Sequence, residues 1–178
     1  MNKRLLIVVD MLNGFAYEGA LASNNIKDII PTIQDIVQNF DNNLFVCDHH
    51  YEDDLEMQVY PQHCLANSTQ AQIVPQLQPY VKEILYKNTT NAFWDIPVNL
   101  WDKYDEFYIV GCCSDICVLQ LTLSLKTYLN KLHADKKIFV YKDAIATYDA
   151  PQHDAKEFNK FAIELLKNAG VIVKRWEM

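Results

Sequence analysis

Short apolar runs alternate with longer stretches of helical period along this chain. RLLIVVD (4–10) is a continuous apolar run ending in an acid, the pattern of a strand buried on both faces. The next segment, residues 24–40, places Ile26, Ile29, Ile30, Ile33, Ile36, Val37 and Phe40 at spacings of three and four. That spacing predicts a helix, bent at Pro31. Further strands are predicted at 43–50, 81–87, 106–111, 137–143 and 171–176. Helices are predicted at 116–132 and 153–170, the second closed by Gly170 as its C′ residue.

Strands that alternate with helices imply right-handed crossovers, and hence an α/β domain whose parallel sheet carries helices on both faces. In such sheets ligands bind beyond the carboxyl ends of the strands. Polar residues at those ends are therefore the candidates for chemistry. Here they are Asp10, Asp48 with His49 and His50, Lys87, and the turn from Gly111 to Cys117.

Composition narrows the choice. At 178 residues and 50% hydrophobic, the chain is expected to form one domain, 1–178, with a sizeable core. A net charge of −7 argues against a nucleic-acid or anionic-membrane surface, which needs a basic footprint. The N-terminal apolar run is interrupted at Asp10 and Asn13, too early for a membrane span. Five cysteines, an odd number without the spacing of a secreted framework, point to a reduced cytoplasmic protein. With four glycines in all, neither a dinucleotide fingerprint nor a phosphate-binding loop is present.

Three of the cysteines lie between positions 112 and 117. They lack the CxxC pairs of structural zinc sites and of redox motifs. Cys112 and Cys113 read as small residues leaving a buried strand. Cys117 follows Ser114 and Asp115, both good N-cap types, and should lie in the first turn of the next helix, where the dipole favours a thiolate. On spacing alone it is either a nucleophile or a buried helix cysteine. As a nucleophile it needs a base, for which Asp10 is the candidate, and Lys87 could supply positive charge. Asp115 reads as the N-cap, and His133 and His153 as surface residues.

Taken in order, LLIVVDMLNGF with GALA, DHH, YPQHC, YKNTTNAF, VGCCSDICV and KDAIATYD resemble the isochorismatase-like cysteine hydrolases, and within them the nicotinamidases. The resemblance covers nearly the whole chain. It implies a Rossmann-like three-layer sandwich with a six-stranded parallel sheet in the order 3-2-1-4-5-6. It also implies an Asp10–Lys87–Cys117 triad and a cis peptide between Cys112 and Cys113. The backbone N–H groups of Cys113 and Cys117 would then hold an oxyanion.

A metal site is implied too, on Asp48, His50 and His63, with Glu56 in the place of a fourth ligand. That donor set suits zinc first, with manganese or iron open. Glu52, Asp53 and Asp54 read as a solvated loop, and His49 as turned away by strand alternation. The family's metal holds the ring nitrogen of a pyridine carboxamide between aromatic side chains. Phe15 and Tyr60 match two of these, and Trp94 or Phe93 could close the pocket. Leu12 stands where a glutamine is common and Asn67 where a glycine is usual.

The implied activity is hydrolysis of nicotinamide to nicotinate and ammonia in NAD salvage. It would be carried out by a homo-oligomer acting on a small aromatic amide, with no nucleic-acid or membrane partner. The alternatives are a related hydrolase of another small amide or vinyl ether, a non-catalytic α/β module, and an electron-transfer flavoprotein. The last is weakened by the missing phosphate loop.

Overall fold

The structure, a computed structural model, describes residues 2–177. One sheet of six parallel strands has the order β3-β2-β1-β4-β5-β6. The strands are β1 (Arg4–Val9), β2 (Asn43–Asp48), β3 (Glu83–Lys87), β4 (Glu106–Cys112), β5 (Lys137–Ala146) and β6 (Ile172–Lys174). The helices are α1 (Asn13–Ala16), α2 (Asn24–Asp28), α3 (Ile30–Gln38), α4 (Cys117–Lys131) and α5 (Ala155–Asn168).

The apolar run of β1 feeds both faces of the sheet. Leu6 and Val8 pack into a core with Phe15, Ile26, Ile33 and Val37 of α1 to α3. Leu5, Ile7 and Val9 pack on the other side with Val118, Leu121 and Leu125 of α4 and Leu166 of α5. This two-sided burial is why the strand reads as continuous rather than alternating.

Among the element boundaries that differ from the sequence reading, two have a plain local cause. The helix expected across 24–40 is two helices, separated at Ile29. Pro31 lies in the first turn of α3, where its missing N–H leaves no bond unmade, so it starts a helix instead of bending one. Likewise α4 begins at Cys117 with Ile116 in the cap position and no side-chain cap, so Asp115 is not the N-cap. Gly170 does close α5, at φ +82° with its N–H on the Lys167 carbonyl.

Every strand runs toward the same edge, so Asp10, Asp48, Lys87 and the 113–117 turn gather there. Gly111 controls the approach of β4 to β1. It has φ +114°, and a Cβ placed on it would lie 2.0 Å from the Val9 carbonyl oxygen. No side chain fits between the strands at that point, just where β4 shifts register against β5. Gly111→Ala is expected to cost about 3 kcal/mol or more, or to prevent folding. A wild-type midpoint in chemical denaturation would show that β1 and β4 are not this close.

Candidate active site

Lys87 stands at the centre of the strand ends. Its ammonium lies 2.8 Å from Asp10 Oδ2, contacts Asp48 Oδ1, and donates toward Cys117 Sγ at 3.8 Å. A carboxylate oxygen of Asp10 and one of Asp48 lie within 4.8 Å of each other and of that sulfur. Asp10, Lys87 and Cys117 thus converge as the resemblance implies. All three are buried. Burial would strip Lys87 of its proton, but the two carboxylates more than reverse this and hold it charged. Burial, reinforced by the Asp48 carboxylate, pushes Asp10 up to about 6 against the pull of Lys87. Burial also keeps Cys117 a thiol, again against Lys87.

The backbone around this group is tied down from several sides. Asp10 itself has φ +50°, a left-handed conformation unusual for a residue with a side chain. Its Oδ1 accepts the Asp48 N–H at 2.8 Å, and its carbonyl accepts the Cys112 thiol at 3.1 Å. Cys112 is therefore more than packing, because its sulfur helps to anchor the Asp10 backbone. The Cys112–Cys113 peptide is cis. In the turn that follows, the Cys113 carbonyl accepts from the Ile116 and Val118 N–H groups, and Ser114 N–H bonds to Ala146 O.

Beside the triad, Asp48, His50 and His63 bring three ligand atoms within 4.8 Å of one another. Asp48 offers one oxygen to each imidazole, at 3.4 Å to His50 Nε2 and 3.6 Å to His63 Nε2. The opposite ring nitrogens are held from outside. His63 Nδ1 lies 2.8 Å from Pro61 O, and His50 Nδ1 lies 3.3 Å from Asp54 Oδ2. N–H groups on those Nδ1 atoms leave both Nε2 lone pairs facing inward, the arrangement metal ligands require. His50 Nε2 is buried and has no hydrogen-bond partner, and two buried carboxylates face a single ammonium. A divalent cation on these three residues would satisfy both.

Asp54 was expected in a solvated loop. Instead it accepts from Tyr51 N–H and Asn88 Nδ2 and orients His50. Glu56, expected as a fourth ligand, is not in this group: its Oε1 accepts the Thr90 N–H at 2.8 Å. No periodicity signals either role, because both depend on the path of the 51–60 loop. His49 does turn away, packing on Tyr86 with ring centroids 4.5 Å apart.

A cleft opens onto Asp48, His63, Cys113 and Cys117. Phe15 and Tyr60 line it as expected, with ring centroids 5.5 and 6.4 Å from that of His63. Leu21, Thr90, Ile116 and Tyr148 complete the wall. Trp94 does not line it: the residue is 76% exposed, while its neighbour Phe93 turns inward against Trp101 and Tyr128. The two substitutions noted in the sequence also find places. Leu12 is fully buried away from the cleft, and Asn67 adopts the left-handed backbone (φ +63°) that a glycine would take.

Known proteins resemble this chain. The chain is 25% identical over 180 residues to Nicotinamidase 1 of Arabidopsis thaliana, covering 85% of this chain and 72% of that one. A nicotinamidase/pyrazinamidase from Acinetobacter baumanii superposes with a TM-score of 0.81 at 22% identity, over 98% of this chain and 97% of that one. The zinc complex of a Pyrococcus horikoshii pyrazinamidase does so with a TM-score of 0.75, also at 22% identity, over 98% and 99% of the two chains. The family model for the Isochorismatase domain matches residues 4–178. With nearly its whole length matched, the chain belongs to the isochorismatase family of hydrolases.

Proposed function

We propose that this hydrolase is a nicotinamidase, converting nicotinamide and water to nicotinate and ammonia. The observation that carries the reading is the placement of Lys87. Its ammonium lies 2.8 Å from Asp10 and 3.8 Å from Cys117 Sγ, on a cleft whose wall also presents Asp48 and His63. A carboxylate, a thiol and a cation at one cleft suit nucleophilic acyl transfer.

In this reading Asp10 accepts the Cys117 proton as the sulfur attacks the carboxamide carbon. Its upward shift makes it a stronger base than a free carboxylate. The oxyanion is held by the Cys113 and Cys117 N–H groups. When the C–N bond breaks, Asp10 returns the proton to the departing ammonia and a Cys117 thioester remains. Asp10 then takes a proton from water as the water attacks the thioester, releasing the acid and restoring the thiol. Lys87 stays charged throughout and keeps Asp10 ionised as each cycle begins. Phe15 and Tyr60 flank the aromatic ring. Asp48, His50 and His63 would hold a divalent ion, zinc being the first choice for two imidazoles and a carboxylate. When bound, that ion supplies a Lewis-acid contact for the ring nitrogen. The product would feed NAD salvage.

Two experiments test the reading. Ammonia release from nicotinamide, set against a panel of small amides, should favour nicotinamide, and Cys117→Ala should lower it by about 10³-fold or more. Retained turnover in that variant would rule out the thioester route. The apo protein should bind about one zinc per chain, and His63→Ala should weaken that binding by more than about 100-fold. Competition against a chromophoric chelator measures this, and unchanged affinity would exclude the Asp48–His50–His63 site.

A further inference from the structure

His153 reads as a surface histidine from sequence, yet it bridges two segments that line the cleft, the loop of Tyr148 and the 113–117 turn. Its Nε2 lies 2.7 Å from Asp115 Oδ2 in the 113–117 turn, and its Nδ1 lies 2.8 Å from the Tyr148 carbonyl. Both partners are oxygens that can only accept. A neutral imidazole carries one N–H and can satisfy one of them, whereas an imidazolium satisfies both. Asp115 needs the charge as well. Its side chain is 9% exposed, its Oδ1 is buried without a partner, and His153 is its only ion-pair partner among the described residues. The ring is also stacked between Tyr148 (centroids 4.4 Å apart) and Phe158 of α5 (4.0 Å), two aromatic faces that favour a cation.

We propose that His153, as an imidazolium, is a positioning residue that clasps the nucleophile turn to the Tyr148 wall, and that the clasp opens when it loses a proton. This deepens the functional reading above and rests on it for the meaning of the cleft. The charged groups facing His153 are few. From the β4–α4 turn comes Asp115, and α5 contributes the uncharged Phe158. Its own loop contributes the Tyr148 phenol and Asp149, and Asp154 caps α5 next to it in the chain. Burial pushes the Tyr148 phenol up to about 12, so it stays neutral. Asp149 is held low by the Ala155 N–H and Asn25, so it stays charged. For His153, burial opposes the charge, but Asp115 more than compensates and raises it.

The direction of the effect follows. A raised histidine keeps the clasp whole below its ordinary range and loses it as pH rises through the folded value. A neutral His153 would keep its N–H on the charged Asp115, the stronger acceptor, and release the Tyr148 carbonyl. The oxyanion turn is then retained while the substrate wall loosens. KM should rise and kcat should not respond to this group.

Three readouts test the clasp. In histidine 15N spectra at about pH 7, both His153 nitrogens should be protonated, with the midpoint above the ordinary 6.5. A single neutral tautomer at that pH would overturn the proposal. The Tyr148 ring signals should shift with the same midpoint in wild type and not in His153→Gln, which resembles the neutral ring in having one donor nitrogen. Tyr148 signals indifferent to that midpoint would overturn the clasp even if the charge is as proposed. Between about pH 6 and pH 9, KM for nicotinamide should rise about fivefold more in wild type than in His153→Gln, roughly the worth of one hydrogen bond. Equal rises in both proteins would overturn the link to the cleft. If nicotinamide is not turned over at all, the functional reading has failed. The two spectroscopic readouts, which need no substrate, still decide the clasp.

Discussion

The active edge of this protein depends on one buried ammonium serving two carboxylates. Lys87 contacts both Asp10 and Asp48, and all three are buried. Removing one member of a buried ion pair leaves an uncompensated charge and costs about 3–5 kcal/mol, so these residues stand or fall together. The same contact joins two chemistries. Asp10 faces the sulfur and Asp48 faces the imidazoles, and Lys87 is the cation between them. The strands that carry these three residues, β1, β2 and β3, are adjacent in the sheet. The parallel register that pairs Asp48 with Lys87 across β2 and β3 therefore sets the geometry of the triad as well.

How much of this could be read from sequence depends on what places each residue. Asp10, Asp48 and Lys87 lie at the ends of apolar runs, and a parallel sheet must bring such ends together. Cys117 was legible as the start of a helix, although the side chain expected to cap that helix was misplaced. Asp115 has the right type and position for a cap, but its carboxylate is turned to the half-buried His153 instead. Whether the gathered residues react is a separate matter from their convergence, and that part rests on the family resemblance.

Loop-borne residues were harder. Glu56, Asp54, Tyr148, His153 and Trp94 all lie in segments with no repeating pattern, where a single backbone dihedral changes which side chain points inward. Phe93 and Trp94 make the difficulty plain. Either could enter the interior from a turn, and the stacked space beside Trp101 takes the phenylalanine. Glu56 and Asp54 lie two positions apart in one acidic run, and only the fold reveals that the second braces an imidazole. Here composition predicted solvent, and hydrogen-bond geometry decided otherwise.

The five free thiols invite a different kind of selectivity. Burial pushes the sulfurs of Cys47, Cys64, Cys112 and Cys117 upward alike, so acidity at rest does not mark out the reactive one. Access does. Cys113 and Cys117 line the cleft, whereas Cys64 and Cys112 are buried away from it and Cys47 borders a separate cavity beside Ile84 and Tyr86. An electrophile that enters the cleft would meet two thiols, and of these Cys117 has the Lys87 ammonium at its sulfur. Covalent probes for this protein should therefore be chosen by shape and by a group that profits from that neighbouring charge. Intrinsic warhead reactivity would spread the label wherever the chain unfolds.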